Sequence, residues 1–124
     1  MRTQIVMALL AGAAASGCIV GGACTTIGCA DGVNVEWSGA TMRERGTLVI
    51  DGEILAFDCA AGPTAAVWCT PKGLRLTRTP TTLRVEVITD RGTRSGSFTP
   101  QYTSNRPNGP DCDPVCRGAT VTVP

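Results

Sequence analysis

Histidine is absent from the 124 residues of this chain, and lysine occurs once, as Lys72. Without imidazole neither a Ser-His-Asp nor a Cys-His arrangement can be built, and histidine ligation of a metal is excluded. A Ser-Lys pair would have to use Lys72, which stands in the turn-forming run Thr70-Pro71-Lys72-Gly73, where a solvated lysine is expected. Aromatic residues are only 4% of the chain, and no phosphate loop or nucleotide fingerprint occurs. Eleven basic against ten acidic residues give a net charge of +1, so there is no bulk electrostatic pull toward nucleic acid. No stretch after residue 18 has a helical period. The apolar run from Ile5 to Ser16 has 12 residues, too few to cross a hydrocarbon core of about 30 Å as a permanent helix.

What is present in excess is cysteine, seven in a chain the length of one domain, which points to an oxidising compartment. The N-terminus supplies a matching export signal: Arg2, the apolar run Ile5–Ala11, then small residues ending in Ala15-Ser16-Gly17-Cys18. This ending resembles the lipobox of bacterial lipoproteins, although Ala15 stands where that family prefers Leu. The resemblance implies a signal peptide over 1–17, cleavage before Cys18 and a diacylglycerol on the Cys18 sulfur. Only a thiol is nucleophilic enough for that alkylation near neutral pH, and two or three acyl chains hold a protein firmly at a membrane. The competing reading is an ordinary secretory signal cut near Ala13 or Ala15. Ile19, in place of an inner-membrane-retaining Asp, implies the outer membrane of the cell envelope.

Cysteine parity supports the lipid. Setting Cys18 aside leaves Cys24, Cys29, Cys59, Cys69, Cys112 and Cys116, an even set. Six cysteines allow fifteen pairings. Cys29 stands just before the first expected strand and Cys116 just before the last, and those strands run side by side in many sandwiches. This favours Cys29–Cys116, Cys24–Cys112 and Cys59–Cys69, with the bridge between the chain ends expected to matter most. A four-thiolate zinc site from Cys24, Cys29, Cys112 and Cys116 competes, but no histidine assists it and export favours disulfides. Asp111-Cys112-Asp113 matches no calcium loop and reads as a turn. No cofactor is called for.

Residues 18–30 read as a lipidated tether, and 31–124 as a single all-β domain. Val33, Val35 and Trp37 alternate with Asn34 and Glu36, and Leu83, Val85 and Val87 alternate with Arg84, Glu86 and Ile88. Asp51-Gly52 marks a two-residue hairpin in which Ile50 opposes Glu53 and Leu48 opposes Leu55. Ala65–Cys69, Leu74–Thr77 and Thr120–Val123 are further short runs, and Pro100 suggests an edge or bulge near Phe98 and Tyr102. Seven or eight short strands of this kind make an antiparallel β-sandwich, immunoglobulin-like or prealbumin-like in size. The tryptophan and tyrosine spacings of true immunoglobulin domains are not met: Trp68 directly precedes Cys69, and Tyr102 lies ten before Cys112.

Three features of the sequence are candidate sites. Asp51, Glu53 and Asp58 are the carboxylates available for glycosidic chemistry, but they sit at or near the hairpin. Arg75, Arg78, Arg84, Arg91 and Arg94 lie within twenty residues and would form either an anion-binding patch or ordinary surface pairs. The segment 104–114, with three prolines and a cysteine, makes a stiff loop in which Asn105, Arg106, Asn108 and Asp111 are candidate binding residues for a protein or glycan partner. Its "RPNGPDCDPVC" run also resembles a segment of small envelope lipoproteins of myxobacteria and their relatives, and that resemblance implies no activity. The expectation is a non-catalytic binding or structural module held to the membrane by lipid. An accessory subunit of a larger envelope complex comes second, and a small periplasmic hydrolase third.

Overall fold

The computed structural model describes residues 24–124. Cys18, the segment 1–17 and the first part of the tether lie outside the described residues. Nine strands follow one another: β1 (Gly32–Glu36), β2 (Arg45–Ile50), β3 (Glu53–Asp58), β4 (Val67–Thr70), β5 (Gly73–Leu76), β6 (Leu83–Thr89), β7 (Gly92–Phe98), β8 (Thr103–Asn105) and β9 (Cys116–Thr122). They form a five-stranded sheet in the order β4-β5-β1-β9-β8 and a four-stranded sheet in the order β3-β2-β6-β7. All pairings are antiparallel except β1 with β9, which run parallel.

The period-2 pattern explains the packing. Val33, Val35, Trp37, Leu74, Leu76, Val121 and Val123 from one sheet meet Leu48, Ile50, Phe57, Leu83, Val85 and Val87 from the other, all buried in one cluster. Each such side chain contributes roughly 1.5–3 kcal/mol by leaving water. The Trp37 and Phe57 rings lie 6.3 Å apart across the layer. The β2–β3 register matches the hydrophobic pattern, with Ile50 opposite Glu53 and Leu48 opposite Leu55. Asp51 (φ 48°) and Gly52 (φ 85°) both adopt the left-handed conformation that a tight hairpin turn needs. The Asp51 carboxylate also accepts the Thr81 and Thr82 backbone N–H groups at 2.9 Å each. At Gly73, φ is 155° and a Cβ would stand 1.9 Å from the Val35 carbonyl oxygen, so only glycine lets β5 approach β1.

The structure has nine strands where the sequence reading expects seven or eight. The last strand starts at Cys116 itself, just behind which the sequence reading places it, and pairing with β1 and β8 recruits Arg117 and Gly118 ahead of the Thr120–Val123 alternation. β7 occupies Gly92–Phe98, where Gly, Ser and Thr carry little hydropathic signal. Pro100 is buried in the connection after β7 and belongs to no strand.

The strands define two ends. β1 and β9 both begin where Cys29 meets Cys116 and run away from that point. At the opposite end, Arg94 of β7 donates 2.9 Å hydrogen bonds to the Ser38 and Pro124 carbonyls, so the β6–β7 turn lies there too. Because Arg45 pairs with Ile88 and with Asp58, the 37–44 loop and Cys59 share this far end.

Candidate binding face

At the end where β1 and β9 begin, three disulfide-linked or hydrogen-bonded pieces form a knot. Cys24 is bridged to Cys112 and Cys29 to Cys116, with Cα–Cα separations of 5.6 and 6.1 Å, the same two pairs the sequence favours there. Between them Asn108 is fully engaged. Its Nδ2 donates to the Ile27 and Asp113 carbonyls at 2.8 Å, and its Oδ1 accepts from the Ile27 N–H at 2.8 Å and from the Thr25 hydroxyl. Asp31 accepts the Arg117 N–H at 2.7 Å. The Arg117 guanidinium lies 4.9 Å from the Tyr102 ring centroid, and the Tyr102 hydroxyl donates to the Pro80 carbonyl. Asn108 therefore leaves the set of candidate binding residues: a side chain with all its valences used inside the fold has nothing to offer a ligand. Asn105, Arg106 and Asp111 stay exposed on the same loop. Asn108→Ala is expected to cost about 1 kcal/mol of stability and to speed amide exchange at Ile27 while both bridges stay closed, which hydrogen-exchange mass spectrometry reads directly.

The other candidates separate. Arg78 pairs with Glu53 at 3.1 Å, Asp58 caps the turn at Cys59–Ala61 through the Ala60 N–H, and Asp51 is committed to Thr81 and Thr82. The five arginines do not form one face, since Arg75 lies on the five-stranded sheet whereas Arg84 and Arg94 lie on the other. Among the described residues, no three His, Cys, Asp or Glu side chains group closely enough to hold a metal ion.

The far end holds a residue that sequence reading passed over. Glu44 is 6% exposed, although it sits in the polar run Met42-Arg43-Glu44-Arg45. Its carboxylate accepts the Thr41 N–H at 2.7 Å, the Arg43 N–H at 3.0 Å and the Trp37 indole N–H at 3.4 Å. Burial pushes its pKa up, but the bonds from Thr41, its own backbone, Arg43 and Trp37 together outweigh burial and hold it below the ordinary glutamate range. Thr41 and Arg43 flank Met42, whose φ of 64° is left-handed. Glu44 thus clamps both neighbours of a strained residue and fixes where the Met42 side chain goes.

Met42, Pro63, Trp68 and the Cys59–Cys69 bridge line a surface recess of about 400 Å³ between the edge strands β3 and β4. Trp68 is 56% exposed, whereas Trp37 is 3% exposed. The sheet register sets Trp68 opposite Arg75, Arg75 opposite Asn34, and Asn34 opposite Thr120, so these four side chains share one row on the outer face. Arg75 is held in place: Nη1 donates to Asn34 Oδ1 at 3.0 Å and Nη2 to the Ala30 carbonyl at 2.8 Å. No signal in the linear sequence joins Asn34 to Trp68; only the strand order does. No family model, curated protein or solved structure matches this chain.

Proposed function

We propose that this chain is an envelope lipoprotein, anchored through lipid on Cys18, whose immunoglobulin-like or prealbumin-like sandwich is a non-catalytic binding module. The observation that carries the reading is the separation of the two ends. The knot that receives the tether closes one end, and the recess beside Trp68 and Met42 lies toward the other. The three bridges use six of the seven cysteines, which leaves Cys18 for other chemistry. Six residue steps separate Cys18 from the first bridged cysteine, a reach of at most about 20 Å, so a lipid there would hold the knot near the bilayer and turn the recess outward. The parallel β1–β9 pair supports the sandwich type. With Ile19 after the lipidated cysteine, the outer membrane is the proposed address.

Fractionation of bacterial cells tests the anchor. The wild-type chain is expected in the membrane fraction and a Cys18→Ala variant in the soluble or unprocessed fraction. Equal partition of the two would remove the lipid from the account.

The accessory-subunit reading is favoured by one feature, β7. Among the described residues, this seven-residue edge leaves the outward backbone groups of Thr93, Ser95 and Ser97 without partners, and an added strand could pair with them. A stable high-mass species on native gels of membrane extracts would favour it.

A further inference from the structure

We infer that the outer face of the five-stranded sheet, centred on Trp68, binds a β-linked oligosaccharide carrying N-acetyl groups. The inference rests on the binding-module reading and names its ligand class.

An indole kept half in water forgoes the burial that Trp37 obtains. A pyranose ring is the complementary shape: its C–H face packs on an indole, while its hydroxyls need hydrogen bonds at the rim. The row beside Trp68 supplies them. Arg75 keeps unused N–H donors after its bonds to Asn34 and Ala30, Asn34 keeps its amide N–H groups, and Thr120 offers a hydroxyl. Planar guanidinium and amide groups suit pairs of adjacent hydroxyls, and the existing bonds of Arg75 hold it ready, which lowers the ordering cost of binding. Neighbouring strands lie about 4.8 Å apart, close to the length of one sugar unit in an extended glycan. A chain laid across the strands would set one ring on Trp68 and the next over Arg75 and Asn34.

On the other side of Trp68, the recess walls are Met42, Pro63 and the cystine, an apolar lining with no charged group. A free hydroxyl gains nothing there, but the methyl of an acetamido substituent does. Met42 is a soft, adaptable wall, and the Glu44 clamp fixes its position.

An extended peptide fits this edge less well. The Val67 carbonyl already accepts the Thr64 N–H at 2.9 Å, and the Val67 N–H donates to Thr64 Oγ1 at 3.1 Å. Trp68 and Thr70 alternate toward β5, so only Cys69 of β4 has backbone groups left for an incoming strand.

The test uses the full chain in a polyoxyethylene detergent, which carries no sugar headgroup, with tetra-N-acetylchitotetraose and cellotetraose as probes. Of the two tryptophans only Trp68 is accessible, so acrylamide quenching reports on it alone. Protection and a blue shift on adding the acetylated sugar are expected. By calorimetry Trp68→Ala is expected to weaken binding at least about tenfold, and cellotetraose to bind at least about tenfold more weakly than the acetylated probe. An unchanged thermal midpoint shows that the variant is folded, and Trp68→Phe is expected to recover part of the affinity. Unchanged quenching with both sugars at millimolar concentration, or full affinity in Trp68→Ala, overturns the platform. Equal affinity for the two sugars overturns the role of the recess. Protection by an apolar peptide and by neither sugar makes the face a protein interface and overturns the inference. Intact mass of the same preparation reports the Cys18 adduct, so failure of the anchor and failure of saccharide binding are seen separately.

Discussion

Removing both bridges at the end where β1 and β9 begin, by changing Cys24, Cys29, Cys112 and Cys116 together to alanine, is expected to lower stability by about 7 kcal/mol, whereas removing either bridge alone costs about 3 kcal/mol. The difference comes from nesting. Cys24–Cys112 and Cys29–Cys116 span 88 and 87 residues of sequence, but each closes nearly the same long loop. Once one is in place, the other closes only the small ring through residues 24–29 and 112–116, eleven residues in all. Loop entropy gives roughly 2.8 kcal/mol for a ring of that size and roughly 4.6 kcal/mol for the long loop. The sequence-based expectation that the Cys29–Cys116 bridge matters most is therefore revised: its partner bridge covers for it. Cys59–Cys69, at a separation of 10, is worth about as much as either end bridge singly. A domain of this size has about 5–15 kcal/mol in total, so the fourfold variant is expected at the edge of folding. Denaturant unfolding of the two single-bridge variants and the double variant reads this coupling. Strictly additive losses would contradict the nested account.

Glu44→Ala is the second large effect, about 4 kcal/mol. It strands three buried or half-buried donors, from Thr41, Arg43 and Trp37, each worth roughly 1–3 kcal/mol when left unpaired. The carboxylate also gives stability a pH slope whose sign is fixed. Its folded pKa lies below the unfolded value, so its contribution is complete above the ordinary glutamate range, about pH 4.3, and is lost as the pH falls through the folded pKa. The wild-type chain is therefore expected to lose stability on acidification below about pH 4.3, and Glu44→Gln to lose less over the same interval. Because the carboxylate holds both neighbours of Met42, either variant should also loosen the recess beside Trp68. Parallel pH–stability curves for wild type and Glu44→Gln would show that other carboxylates carry the slope.

Legibility in the sequence tracked how local each determinant is. The β1 alternation of Val33, Val35 and Trp37 and the Asp51-Gly52 turn are short-range codes, and both carry through to buried faces and register. β7 escaped because Gly92, Ser95, Gly96 and Ser97 say nothing about burial, and an edge strand needs only one neighbour. Glu44 reads as surface charge among arginines; its burial depends on the loop from Trp37 curling back over it. The stiff loop at 104–114 was legible as stiff, but its partner, the chain around Ile27, lies 81 residues away. The row from Trp68 to Thr120 is likewise invisible before the strand order is known, since it gathers residues from four separate strands.

The measurement that tests the proposed lipid anchor and the three bridges most directly is intact mass of the chain extracted from bacterial membranes, before and after reduction and thiol alkylation. The expected species begins at Cys18, carries acyl chains, takes up no alkylating agent until it is reduced, and then takes up six. A species whose Cys18 is unmodified and reacts without reduction would contradict the anchor and turn the seventh cysteine into a free or intermolecularly paired thiol.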